Sequence, residues 1–236
     1  MDKRAAELKE APANHVYSVL TQSYSTDANL GEQVAGLLAR RSENHRPNQR
    51  FDPDLSYGRH RGPSGPGSRS AAVVVLLYPH RGQWHLPLIL RPTSMTDHAG
   101  QISLPGGRND TGETPERCAL RELHEELGVP PGQVTILGRL RSILVFASNH
   151  CVTPLVATCR GRPEFHPNPA EVDRLFEVPL TSLLNESRWQ PCQIKRGQLK
   201  FQAPGIVLGE RHIWGATGVI LGDLIQVLTD ISSNPP

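Results

Sequence analysis

Three glutamates, Glu122, Glu125 and Glu126, recur at spacing i, i+3, i+4 inside a run of strong helix formers. A helix brings residues three and four apart onto one face, roughly one turn from each other. Like charges stacked in this way repel and destabilise the helix, so a merely solvated face would intersperse lysines. Oxygen ligands crowded together suit a hard divalent cation, Mg²⁺ or Mn²⁺. The chemistry implied is metal-assisted attack of water on a phosphate chain.

The surrounding stretch, Gly107 to Val129, supplies a holder for these carboxylates. Gly106 and Gly107 permit a tight backbone turn that a Cβ would resist. Thr114 is the expected N-cap and Pro115 the first helical residue, where its missing N–H is harmless. Ala119, Leu120, Leu123 and Leu127 give the helix an apolar face, and Gly128 ends it. Arg121 is placed to pair with Glu113 in the preceding loop, joining loop to helix by a charge-assisted contact.

Gly107, Glu113, Arg121, Glu122, Leu123, Glu125, Glu126, Gly128 and Val129 occupy every fixed position of G-x5-E-x7-R-E-U-x-E-E-x-G-U, with U apolar. Such coincidence at a given start is expected on the order of once in 10⁹ at average residue usage. An isolated R-E-x-x-E-E would read as a solvated acidic face; the whole pattern does not. The chain resembles a Nudix hydrolase. That resemblance implies Glu122 and Glu126, with Glu125 in support, as holders of Mg²⁺ or Mn²⁺, and Glu125, Glu122 and Arg121 as catalytic residues. The base that takes the proton from water stays open between Glu125 and a downstream carboxylate such as Glu164 or Glu171.

His98-Ala-Gly-Gln-Ile-Ser-Leu-Pro-Gly-Gly107 is similar to the H-x-G-Q-V-S-F-P-G-G run of the coenzyme A diphosphatase branch. Of that branch's longer signature, Arg91, Gly100, Pro105, Gly106 and Gly107 agree and Leu88 holds a leucine position. Ile89, Pro92, Thr96 and Leu104 depart from it, Thr96 replacing an arginine suited to phosphate contact. Glu171 to Leu180 resembles E-V-x-x-x-F-x-V-P-L, and the run His212 to Leu221 resembles I-W-G-x-T-x-x-I-L, both from the same branch. The matches span Ala71 to Leu228 in the expected order. They imply coenzyme A as substrate, 3′,5′-ADP and 4′-phosphopantetheine as products, and Arg91, Gly100, Gln101, Gly106 and Gly107 as substrate-binding positions.

Organisation follows from breaks in composition. Residues 1–70 read as a polar extension, with helices around Val16–Gln22 and Leu30–Arg41 and a Pro/Gly/Arg-rich linker from Tyr57 to Ser70. Residues 71–236 read as the hydrolase domain. Ala71–Tyr78 and Trp84–Leu90 form a hairpin pattern about Pro79–Gly82, and Val134–Leu137, Leu140–Phe146, Val152–Thr158 and Leu175–Val178 look extended. Thr181–Leu184 reads as a helical turn, Ile194–Phe201 as a second hairpin, and Thr217–Leu228 as a closing helix. Strands flanked by helices predict an α/β/α sandwich with a mixed β-sheet.

Competing chemistries fail locally. His124-Glu125-Glu126-Leu127-Gly128 lacks the second histidine of a zinc protease motif, and no G-K-[ST] follows a glycine loop. A net charge of +2 points to neither nucleic acid nor an anionic membrane. The first 15 residues lack a signal-peptide core, and no apolar run reaches the roughly 18 residues of a membrane span. Cys118, Cys151, Cys159 and Cys192 show no C-x-x-C spacing, which fits reduced thiols in the cytoplasm. Two rival functions stand beside the coenzyme A reading: a Nudix hydrolase for another nucleoside diphosphate derivative, and a catalytically silent Nudix ligand sensor.

Overall fold

The computed structural model describes residues 27–41, 51, 67–94, 98–146, 148–196 and 198–233. The helix expected at Val16–Gln22, the linker up to Pro66, and Thr96 lie outside the described residues.

Strand β1 (Arg69–His80) and strand β2 (Gln83–Leu90) are the central hairpin. They pair antiparallel from Tyr78↔His85 to His80↔Gln83, the turn falling at Arg81–Gly82. Both strands are almost wholly buried because both faces of the sheet are covered. Side chains alternate across β1. Ala72, Val74, Leu76 and Tyr78 face one core, and Ala71, Val75 and Leu77 face the other.

Two short strands, β3 (Ile102–Ser103) and β4 (Gly106–Arg108), follow, with β3 beside β2 and β4 beside β1. A later strand, β7 (His150–Thr158), runs parallel to β1 from Arg69↔His150 to Leu77↔Thr158. On the other side of β7 lie β5 (Thr135–Arg139) and β6 (Ile143–Val145), both antiparallel to it. Strand β8 (Arg174–Pro179) completes this eight-stranded mixed sheet by pairing with β2.

Helix α1 (Asp27–Arg40) precedes the sheet in the chain. Helix α2 (Pro115–Leu127) covers one face, burying Cys118, Ala119, Leu123 and Leu127 against the Ala72–Tyr78 set. A short helix, α3 (Leu180–Leu184), and a long one, α4 (Gly215–Ser233), cover the opposite face with α1. The result is the predicted α/β/α sandwich. Leu30, Val34 and Leu38 of α1, with Phe51, are part of that second core although they precede the strand region. Arg41 pairs with Asp230 at 2.5 Å, tying the end of α1 to α4.

The expected hairpin at Ile194–Phe201 is present as β9 (Cys192–Arg196) and β10 (Leu199–Ala203). A further hairpin, β11 (Gly205–Leu208) with β12 (Arg211–Trp214), was not anticipated from the sequence; β12 lies beside β3. Its strands are only four residues each, too short for a clear period of two.

Candidate active site

Helix α2 begins and ends where the sequence predicts. Thr114 Oγ1 accepts from Arg117 N, Pro115 opens the helix, and Gly128 closes it at φ 73°. Arg121 joins the loop to the helix. Its Nε and Nη2 each donate to one oxygen of Glu113 at 3.0 Å, and Nη1 donates to Glu122 and to Glu125, both at 2.9 Å. Nη2 also donates to the Arg108 carbonyl at 3.1 Å. With every guanidinium nitrogen engaged, Arg121 orders its neighbours. The paired bond from Arg121 holds Glu113 below the ordinary carboxylate range, against the opposing effect of burial.

The glycine pair sets how closely the strand approaches the glutamates. Gly106 has φ 147°, and a Cβ there would lie 2.3 Å from the Ala72 carbonyl oxygen of β1. A Cβ on Gly107 would lie 2.3 Å from Glu122 Oε1. The absence of both side chains allows Gly106 N–H to donate to Glu126 Oε2 at 2.9 Å. Beneath the turn, the Cys118 thiol contacts the Gly107 carbonyl at 3.5 Å, and burial pushes its pKa up to about 12. It therefore packs as a neutral thiol.

One ligand oxygen from each of Glu122, Glu126 and Glu171 lies within 4.8 Å of the others. Glu125 stands apart from this trio: its side chain is 48% exposed and engaged by Arg121. Glu171 arrives from a loop folded back on the helix end. His166 N donates to the Leu127 carbonyl at 2.8 Å, and Asn168 N to the Glu126 carbonyl at 2.9 Å. The last carbonyls of a helix need partners from outside it. Here the loop provides them, and Glu171 N in turn donates to Asn168 O at 3.0 Å.

Glu126 is only 1% exposed, and Arg91 Nη1 approaches its second oxygen at 3.5 Å. Burial pushes Glu126 up to about 8, with Glu122 and Glu171 adding to the rise while Arg91 and Gly106 oppose it. Burial also raises Glu122, Arg121 acting against the shift. Three crowded carboxylates with too little compensating charge fit a hard divalent cation, and the donor set is all oxygen.

The sign of the pH effect follows. Glu126 titrates higher in the folded protein than its ordinary value of 4.5, so the fold prefers the protonated form. This contribution to stability is complete below about pH 4.5 and is lost as pH rises through about 8. The melting temperature of metal-free protein should therefore fall across that window more in wild type than in Glu126→Gln. Added Mg²⁺ should recover it at the upper end. Identical thermal profiles for the two proteins would contradict the assignment.

The other expected positions gather above the trio. Arg91 N donates to the Gln101 carbonyl at 3.0 Å, and Gly100 N donates to the Arg91 carbonyl at 3.1 Å. His98 Nδ1 lies 3.1 Å from Gln101 Oε1, with His98 in the left-handed region at φ 57°. Arg91, Gly100, Gln101, Gly106 and Gly107 thus belong to one connected loop and strand edge. Elsewhere, a cavity of about 230 Å³ lies among Phe51, Trp189, Pro191 and Pro204, with no titratable side chain in its lining.

Comparison with known proteins gives the family. The sequence profile of the NUDIX domain matches residues 68–196. An uncharacterized Nudix hydrolase NudL of Pectobacterium atrosepticum is 36% identical over 163 residues, covering 69% of this chain and 84% of its own length. A protein of the same name from Yersinia enterocolitica is 36% identical over 166 residues, covering 68% and 85%. The crystal structure of the Nudix hydrolase RenU of M. smegmatis aligns with a TM-score of 0.48 at 20% identity, over 75% of this chain and 92% of that one. The profile match runs through the glycine turn, the acidic helix and the loop that carries Glu171, so the geometry and the kinship meet on the same residues: this chain belongs to the Nudix family of hydrolases.

Proposed function

We propose that the chain hydrolyses the diphosphate of coenzyme A or a derivative, giving 3′,5′-ADP and 4′-phosphopantetheine, with Mg²⁺ or Mn²⁺ held by Glu122, Glu126 and Glu171. The observation that carries this reading is the position of Arg91 against His98–Gly107. The segment resembling the coenzyme A branch is tied by main-chain bonds to Arg91, whose side chain reaches the carboxylate trio. When bound, a divalent cation would neutralise developing charge and lower the pKa of a water. The chain's own residues do the rest. Gly106 N–H fixes Glu126, Arg121 fixes Glu122, and Arg91 offers a guanidinium matched to phosphate oxygens. With Glu171 given to the cation, Glu125 and Glu164, which is 85% exposed beside His166, are the acceptors open to the water's proton.

Among the described residues no helix is long and apolar enough to cross a membrane, and all four cysteines are free thiols. Together these support placement in the reducing cytoplasm. The test is a substrate panel of coenzyme A, ADP-ribose, NADH and a diadenosine polyphosphate with Mg²⁺ or Mn²⁺. Coenzyme A should show the highest kcat/KM. Dephospho-coenzyme A, lacking only the 3′-phosphate, should lose roughly tenfold or less, about 1.4 kcal/mol. Equal cleavage of the whole panel would remove the coenzyme A assignment and leave a general diphosphate hydrolase. No metal-dependent turnover of any member would favour a ligand sensor.

A further inference from the structure

The geometry points to Arg91 as a counter-ion that changes partner. With no metal bound it is the cation that faces ionised Glu126, and when a divalent cation takes that carboxylate the guanidinium is released to the substrate's diphosphate. This inference rests on the reading of the site as a diphosphate hydrolase.

Three features argue for it. The backbone of Arg91 is fixed on both sides by its bonds to Gln101 and Gly100, so only the side chain is free to relocate. Among the described residues, that guanidinium makes one side-chain contact, to Glu126 Oε1 at 3.5 Å, the outer limit for a hydrogen bond. The other oxygen, Oε2, is held independently by Gly106 N–H at 2.9 Å, so Glu126 keeps its place when the arginine leaves.

Electrostatics then makes the two cations exclusive. A carboxylate that is 1% exposed is costly to leave as a bare charge, so whenever Glu126 is ionised without a metal its partner is the nearest guanidinium, that of Arg91. A divalent cation at the same carboxylate supplies that charge and repels the guanidinium. Arg91 is 16% exposed and stands at the end of β2, where a released fork can meet paired phosphate oxygens. Metal binding would thus create the second half of the anion site, and substrate would follow metal.

A double-mutant cycle isolates the exchange. Binding of α,β-methylene-ADP, a non-hydrolysable diphosphate, is measured by calorimetry on metal-free wild type, Glu126→Gln, Arg91→Gln and the double variant. All four titrations are run at pH 9, well above the ordinary carboxylate range. Glu126→Gln should bind the analogue at least about tenfold tighter than wild type, about 1.4 kcal/mol, because Arg91 is no longer held. In the Arg91→Gln background the same substitution should gain about twofold or less. If Arg91→Gln does not give folded protein by circular dichroism, Arg91→Met completes the same cycle. An equal gain in both backgrounds would show a general field effect and overturn the exchange, as would no gain at all. Failure of Mg²⁺-loaded wild type to bind the analogue would overturn the diphosphate reading itself, and this inference with it.

Discussion

Glu126→Gln lowers kcat by at least about 10²-fold while the melting temperature at neutral pH holds or rises. The size follows from the weight of preorganised and metal-based charge stabilisation. The opposite sign for stability follows from burial: glutamine accepts the same Gly106 N–H bond and never ionises among Glu122 and Glu171, in the folded or the unfolded chain. Steady-state turnover and a thermal melt on one preparation check both halves. Chelation of wild type by EDTA should reproduce the loss of activity, with Mg²⁺ or Mn²⁺ restoring it. Should activity and melting temperature fall together, Glu126 serves the fold, and its assignment to the chemistry is incorrect.

Gly106→Ala destabilises the protein by about 3 kcal/mol or more, read by chemical denaturation. The new methyl would stand 2.3 Å from the Ala72 carbonyl oxygen and 2.6 Å from Val73 Cα, both backbone atoms of the central strand. Neither atom can yield without displacing the sheet. Gly107→Ala is the informative contrast, because its methyl meets the Glu122 carboxylate at the far end of a flexible side chain. That variant should remain folded and lose affinity for Mg²⁺. Wild-type stability in Gly106→Ala would mean that the close approach of β4 to β1 is dispensable.

The residues of the glycine turn and acidic helix were legible because their chemistry is local. A cap at Thr114, an αL glycine at 128 and glutamates a turn apart all depend on residues within one helix and its loop. Strand β1 was legible from its continuous apolar run. Glu171 as a partner of Glu122 and Glu126 was not. It lies in a polar loop without periodicity, and it reaches the site only because that loop satisfies the carbonyls at the end of α2. The sequence offered Glu171 only as one of several candidates for the water's proton, and the resemblance around Glu171–Leu180 marked order along the chain, with no indication that it stands beside Glu122 and Glu126. The helix α1 was visible from its apolar spacing, yet its place in the core depends on α4, far along the chain. The hairpin β11–β12 left too short a pattern to read.

The parallel pairing of β1 with β7 also governs how the protein reaches its native state. Ser68 and Asn149, hydrogen-bonded at the end of that pair, are 81 positions apart in the chain. Closing so large a loop before its contacts reward it makes folding slow. Hairpin β1–β2 and helix α2 are local and can form first, whereas Glu171 follows β7 in the chain, so its meeting with the other carboxylates is a long-range contact expected late in folding. A cation bound by all three would then stabilise contacts absent from the transition state, lengthening the lifetime of the native protein while leaving its rate of formation nearly unchanged.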